Sequence, residues 1–503
     1  MNHHPTHRYL SQDLRIVLRS LGLLIPAVGI MAVASLVVCL AFRETYVLLP
    51  FGMTAAISLG VGACLYFPFR NAGSAKTRHA MITAACAWLF MSFLAALPFL
   101  FTARFAEGTV HATQTLLHFK DLNNGFFEAM SGWTTTGLSM TLHPEDLPQS
   151  LNWWRAFLQW VGGLGVIILM LSLVAGAGTP FRSLYFAERE EKTHPSVVST
   201  ARILWAIYTL FTLCLTLLLW SVGMPLWPAL LHTMAGLATG GFAFTSQSIA
   251  SYPRVGIELV VVLTMVVGSS NFAVHYQLLQ GRWKMLWQDF QTRSLLIALS
   301  LWVVLLFLEN LLTMSVATSA RLSFFQALSG ATTTGFQTAD IRPWSDAAKV
   351  VLTLAMFVGC ASGSTGGGIK IIRAMTLLRG ARWQLRRLTS PSAIIPFHLG
   401  RKILSPEEAT QRMQGAALVT FLWAAFIGIG VLVLLHTVPK EFTLTDVLFE
   451  ATSAQSNVGL SVGITGPTMN TWAKLMLAFN MWAGRVEIVP VLMLLRSLFL
   501  GAR

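Results

Sequence analysis

Long apolar runs separated by short polar stretches set the pattern of this chain. They begin near Leu21, Tyr46, Ala80, Trp154, Ala201, Ile257, Leu295, Ala347, Ala416 and Trp472, and each is about twenty residues, enough for a helix to cross a ~30 Å hydrocarbon core. The pattern predicts ten spanning helices. Four further segments, 122–133, 226–238, 322–331 and 444–455, are helical in character but too short to cross. At 1.5 Å per residue they reach only about halfway through a bilayer.

Each short segment runs into small residues and one glycine: MSGWTTTGLS, MAGLATGGFA, LSGATTTGFQ and TSAQSNVGLS, aligned without a gap on Gly137, Gly241, Gly335 and Gly459. Spanning helix, half-length helix, glycine motif and spanning helix is therefore a unit that occurs four times. The predicted fold is an all-α membrane protein with four pseudo-symmetric helix–pore-loop–helix repeats around one pore, preceded by two peripheral helices near 21–42 and 46–69. The units expected are residues 1–75 for the two leading helices, then 76–195, 196–290, 291–405 and 406–503 for the repeats.

Composition agrees with a membrane setting. Of 503 residues, 54% are hydrophobic and 11% charged, against roughly 25% charged in soluble domains. Asp13, Arg15 and Arg19 lead into a first helix with Pro26 inside it, unlike the short apolar core of a cleaved signal, so that helix is expected to stay in the mature chain. The five cysteines, Cys39, Cys64, Cys86, Cys214 and Cys360, sit in apolar runs without metal spacing and read as small buried hydrophobes.

A net charge of +14 raises nucleic-acid binding, which the distribution of the basic residues excludes. With the N-terminus in the cytoplasm, 24 of the 35 Lys and Arg fall on the cytoplasmic side, 10 outside, and Arg485 within the membrane. The inner clusters lie at 8–19, 70–78, 182–202, 282–293 and 370–412, as the positive-inside rule requires. The segment 379–412 is suited to anionic lipid or a regulatory protein.

Four irregular strands at half depth in a membrane are tolerated where protein buries them or where they line water. Backbone carbonyls from four equivalent strands replace the hydration shell of potassium, and glycine permits the backbone conformations that turn them inward. The lining set is Thr135, Thr136, Gly137 and Leu138; Thr239, Gly240, Gly241 and Phe242; Thr333, Thr334, Gly335 and Phe336; Asn457, Val458, Gly459 and Leu460. Hydroxyls of Thr135, Thr239 and Thr333 are placed to add oxygens at the inner end, where the fourth strand has Asn457. The C-terminal ends of the half-helices bring partial negative charge to the same point.

Two candidates for a gate follow. GCASGSTGGG contains Gly359, Gly363, Gly366, Gly367 and Gly368, and at ~1 kcal/mol per glycine the helix should break there. Gly363, Ser364, Thr365, Gly366, Gly367 and Gly368 then form a loop that either obstructs the path or serves close helix packing. Arg485 lies amid apolar residues, where a charge is costly and turns toward protein or water. It faces either the conduction path or an acidic partner. Glu487, two positions on, is on the wrong side of the helix to be that partner.

WWRAFLQWVGGLGVIIL, THPSVVSTARILWAIY, GSSNFAVHY, GCASGSTGGGIKIIR and MWAGRVEI, together with the four glycine motifs, give the chain a resemblance to the Trk/Ktr/HKT superfamily of potassium transporters. The two leading helices make it most similar to the bacterial Trk pore subunits. The resemblance implies ten spanning helices, an intramembrane loop in the third repeat, an arginine below the filter, a homodimer in the bacterial inner membrane, and a separate cytosolic ring of dinucleotide-binding domains as partner. Sodium-selective members of the HKT branch have serine in the first filter, whereas all four positions here are glycine, which implies potassium.

The expected function is therefore potassium uptake without covalent chemistry, with no cofactor bound by this chain and potassium as the transported ion. The alternative is an ion-coupled symporter, which would need an intramembrane acidic cluster; Glu258, Glu309, Glu450 and Glu487 are scattered. A membrane enzyme would need paired His, Asp or Glu at catalytic spacing within the helices, and the spanning segments have none. His3, His4 and His7 read as a mobile polar end. His232 occupies the place held by Glu128, Gln326 and Glu450 in the other repeats, a set suited to polar attraction at the outer side or to helix capping.

Overall fold

A computed structural model describes residues 6–175, 197–390, 395–400 and 402–499. His3 and His4, the basic residues Arg182, Arg189, Lys192 and Arg401, and the start of THPSVVSTARILWAIY lie outside them. The chain is a mostly helical membrane protein. Among the described residues six helices are long and apolar enough to cross a membrane, or eight when two bent pairs each count as one span. Ile30, Val37, Leu213, Leu217, Phe421 and Leu432 point outward from them, leaving an apolar exterior that only lipid can cover.

The two leading helices, Pro26–Ala41 and Thr45–Tyr66, pack on each other. They are less peripheral than the pattern suggests. Glu44, between them, accepts from the amides of Gln149 and Ser150 at 2.6 and 2.9 Å. It thus supplies from a distance the carboxylate that the first turn of the helix Gln149–Ala175 lacks.

The half-helices are Leu122–Trp133, Leu226–Leu237, Val316–Ala331 and Leu444–Gln455. The third begins earlier than its hydropathy suggests, because Ser315 caps it by accepting from the Thr318 amide. Asp121 and Thr443 do the same for the first and fourth. Each repeat's second span packs on the next half-helix: Gln149–Ala175 on the second, Val255–Ser269 on the third, Asp346–Val358 on the fourth, and Thr471–Arg485 back on the first. The chain therefore closes into a ring.

Three of the four second spans are broken. Val255–Ser269 turns by 106° into Phe272–Leu279, and Thr471–Arg485 turns by 114° into Ile488–Phe499. In the third repeat Asp346–Val358 and Ile371–Thr389 are separated by the glycine loop. A short hairpin pairs Phe397 with Leu404 and Leu399 with Lys402, and packs on Trp383. Of the cysteines, Cys39 and Cys360 are buried, but Cys64 and Cys214 are exposed. Burial within the protein, as the sequence suggested, is corrected for those two, which face the exterior of the helix bundle.

Candidate functional site

The four half-helices end at Trp133, Leu237, Ala331 and Gln455, and all four strands leave them in the same way. Thr135, Thr239, Thr333 and Asn457 each take a left-handed φ of 50 to 54°, and Gly137, Gly241, Gly335 and Gly459 a φ of 67 to 96°. Side chains resist such values, and a backbone that visits them twice within three residues turns successive carbonyls to one side instead of alternating them. The turn is held by backbone bonds of one pattern, Thr136 to Ser131, Gly240 to Ala235, Thr334 to Ser329 and Val458 to Ser453, at 2.7 to 2.9 Å.

The strands meet edge to edge in cyclic order. A side chain at Gly137 would collide with the carbonyl oxygen of Gly240, one at Gly241 with that of Thr334, one at Gly335 with that of Val458, and one at Gly459 with that of Thr136. Four carbonyls at one level thus stand around a common axis. Above them opens a cavity of about 240 Å³ lined by all four glycines together with Ser139, Gln337, Ser461 and Thr465. Leu138, Phe242, Phe336 and Leu460 follow the glycines and are buried behind the ring.

The polar set at Glu128, His232, Gln326 and Glu450 does not cap helices. Glu128, Gln326 and Glu450 anchor the strands as they leave the ring, whereas His232 bonds back to its own helix. Glu128 accepts from Ser139 Oγ and from the Met140 amide at 2.7 Å, and Glu450 from Ser461 Oγ at 2.8 Å and the amides of Val462 and Thr465, both at 3.1 Å. His232 Nδ1 is bonded to the Pro228 carbonyl at 2.8 Å. Gln326 reaches Thr338.

Arg155, one of the ten basic residues that the charge pattern assigns to the outside, is buried behind the ring of strands. Its Nε donates to Glu128 at 2.7 Å, its Nη1 to the Ala243 carbonyl at 2.8 Å, and its guanidinium lies 4.4 Å from the Phe242 ring. A lone arginine in WWRAFLQW was the signal for it.

Below the ring lies the glycine loop. Gly367 donates to Thr333 Oγ1 at 2.7 Å, Thr365 Oγ1 donates to the carbonyls of Leu237 and Gly268, both at 2.9 Å, and the Gly368 amide donates to the Ser456 carbonyl at 3.1 Å. The loop is thereby fastened to the inner ends of strands two, three and four. It also fills the break in the second repeat, where Thr365 donates to Gly268, Ala361 to Ser269, and Phe272 to Gly363. Of the three hydroxyls expected at the inner end, those of Thr239 and Thr333 are engaged by the loop, and that of Thr135 has no partner among the described residues. Asn457 Nδ2 turns away to Thr136 Oγ1 at 3.0 Å and the Met481 carbonyl at 2.8 Å.

Arg485 ends its helix beside the loop. Its Nη1 donates to the Thr365 carbonyl at 2.6 Å and its Nη2 to the carbonyls of Gly162 and Gly163 at 3.0 and 3.4 Å. Among the described residues its partners are carbonyls, not a carboxylate. Glu487, with φ of 62°, lies past the helix end and pairs with Arg373 at 2.8 Å.

A model of the TrkH family, described as cation transport protein, matches residues 51–500. The chain is 30% identical over 463 residues to the Trk system potassium uptake protein TrkH of Salmonella typhimurium, covering 89% of this chain and 92% of that protein. It is likewise 30% identical over 506 residues to the protein of that name from Halomonas elongata, covering 97% and 99%. The crystal structure of the potassium transporter TrkH from Vibrio parahaemolyticus superposes with a TM-score of 0.83 at 26% identity, over 96% of this chain and 98% of that one.

Proposed function

The chain belongs to the TrkH family of cation transport proteins, and from that premise we propose that it takes up potassium across a bacterial inner membrane through the ring of four strands. Potassium enters the outer cavity, exchanges water for the carbonyls of Thr136, Gly240, Thr334 and Val458 beside the four filter glycines, and is stopped below by the loop from Gly363 to Gly368. The cyclic contact of each filter glycine with the neighbouring carbonyl carries this reading. Carbonyl dipoles suit a monovalent cation because they replace hydration without a fixed charge.

Arg485 adds an electrostatic barrier at the inner end, since its charge faces the loop that would have to move. Ten spans with the N-terminus in the cytoplasm, a homodimer, and a cytosolic nucleotide-binding ring as partner complete the proposal. The basic surface of Arg379, Arg386 and Arg387 on the helix Ile371–Thr389 continues from the loop into the cytoplasm, so a partner or anionic lipid bound there pulls directly on the gate. The test is rubidium and sodium flux into proteoliposomes at a fixed membrane potential, with and without a proton gradient. Flux that follows voltage alone supports the channel; flux that needs the proton gradient replaces it with coupled transport.

A further inference from the structure

Three of the four filter strands are held by their own repeat. The Gly137 and Gly459 amides donate to Ser131 Oγ and Ser453 Oγ at 2.9 and 3.1 Å, and Ser329 Oγ donates to the Phe336 carbonyl at 2.7 Å. In these strands the residue before the filter glycine also has a side chain, Thr136, Thr334 or Val458. The second strand has neither device. Ala235 stands where the serines do, and Gly240 precedes Gly241.

The first repeat supplies what is missing. Gln159, fully buried on Gln149–Ala175, donates from Nε2 to the Gly240 carbonyl at 2.7 Å and accepts at Oε1 from the Phe242 amide at 3.2 Å. Its carboxamide occupies the space that a side chain at Gly240 would enter. The corresponding positions in the other repeats are Met265, Phe357 and Met481, none of which can make either bond.

We infer that Gln159 is a positioning residue for selectivity: a side chain lent by one repeat to the next, which fixes the second strand at the spacing of the other three. A carbonyl oxygen has two lone pairs, so the Gly240 oxygen takes the amide bond and keeps one for a cation. Without that bond this strand alone is free to turn its carbonyls, and the ring loses the geometry that separates potassium from sodium. The inference rests on the reading of the four strands as the filter.

The experiment measures the rubidium to sodium flux ratio in proteoliposomes for Gln159→Met, Gly240→Thr, the double variant Gln159→Ala with Gly240→Thr, and Gly335→Ser. Gln159→Met keeps the volume but loses both bonds, and its ratio should fall by up to about tenfold, the worth of a positioned hydrogen bond. Gly240→Thr collides with Gln159 and falls as well. The double variant should recover, because its threonine acts as Thr136 and Thr334 do.

An unchanged ratio in Gln159→Met overturns the inference, as does a double variant no better than Gly240→Thr. Should Gln159→Met not assemble, the double variant alone decides on the same terms. If Gly335→Ser shifts the ratio and the Gln159 variants do not, this inference alone fails. If Gly335→Ser also leaves it unchanged, the filter reading itself is lost.

Discussion

Arg485 donates to the carbonyl of Thr365 at 2.6 Å, joining the end of the last repeat to the loop of the third across 120 positions of sequence. Hydrogen bonds to a charged group contribute ~1.5 to 3 kcal/mol each. Arg485→Ala removes this bond, those to Gly162 and Gly163, and the positive charge. Rubidium flux through folded protein should rise about tenfold or more, with the rubidium to sodium ratio unaltered, because the ring above is untouched. Loss of flux with intact folding would give Arg485 a different role.

Thr365→Val keeps the shape of the loop and deletes the hydroxyl that reaches Leu237 and Gly268. A neutral bond of this kind is worth about 1 kcal/mol, so the loop should leave its seat more readily and flux should rise several-fold. Equal flux in the two proteins would show that the loop does not limit conduction.

Gly335→Ser places a side chain against the Val458 carbonyl at a residue whose φ is 90°. The third strand must shift, which breaks the carbonyl spacing on which dehydration depends. The rubidium to sodium ratio should drop by roughly an order of magnitude, read from isotope flux into proteoliposomes.

Arg155→Leu leaves Glu128 buried without its cation, and breaking such a pair costs about 3 to 5 kcal/mol. The fourth repeat offers the comparison: Glu450 is equally buried, but Leu477 stands where Arg155 does, and among the described residues Glu450 is held by hydroxyls and amides alone. Glu450→Gln should therefore lower the thermal unfolding midpoint in detergent much less than Arg155→Leu. Equal losses would mean that the ion pair contributes nothing beyond its hydrogen bonds.

The repeats were legible because hydropathy and local conformation carry them. A half-length helix followed by small or polar residues and a glycine announces its turn, and the first and fourth half-helices have the bounds read from the chain. The third is longer, since Ser315 and the bond from Arg321 to Glu258 stabilise a polar start that hydropathy discounts. Breaks at Ser270 and Val486 were not legible within apolar runs. Asn271 caps the helix after the first break by accepting from the Ala273 amide, but the backbone groups freed there are satisfied by the distant glycine loop.

From the sequence alone came the membrane setting, the fourfold repetition, the glycines of the ring and the presence of a broken helix, all of which follow from the composition and conformational limits of neighbouring residues. The order of the strands around the axis, the seat of the loop beneath three of them, and the loan of Gln159 from one repeat to another were settled only by the tertiary structure. Each joins groups far apart in sequence through a few hydrogen bonds or close contacts. Such bonds leave no periodicity in the chain.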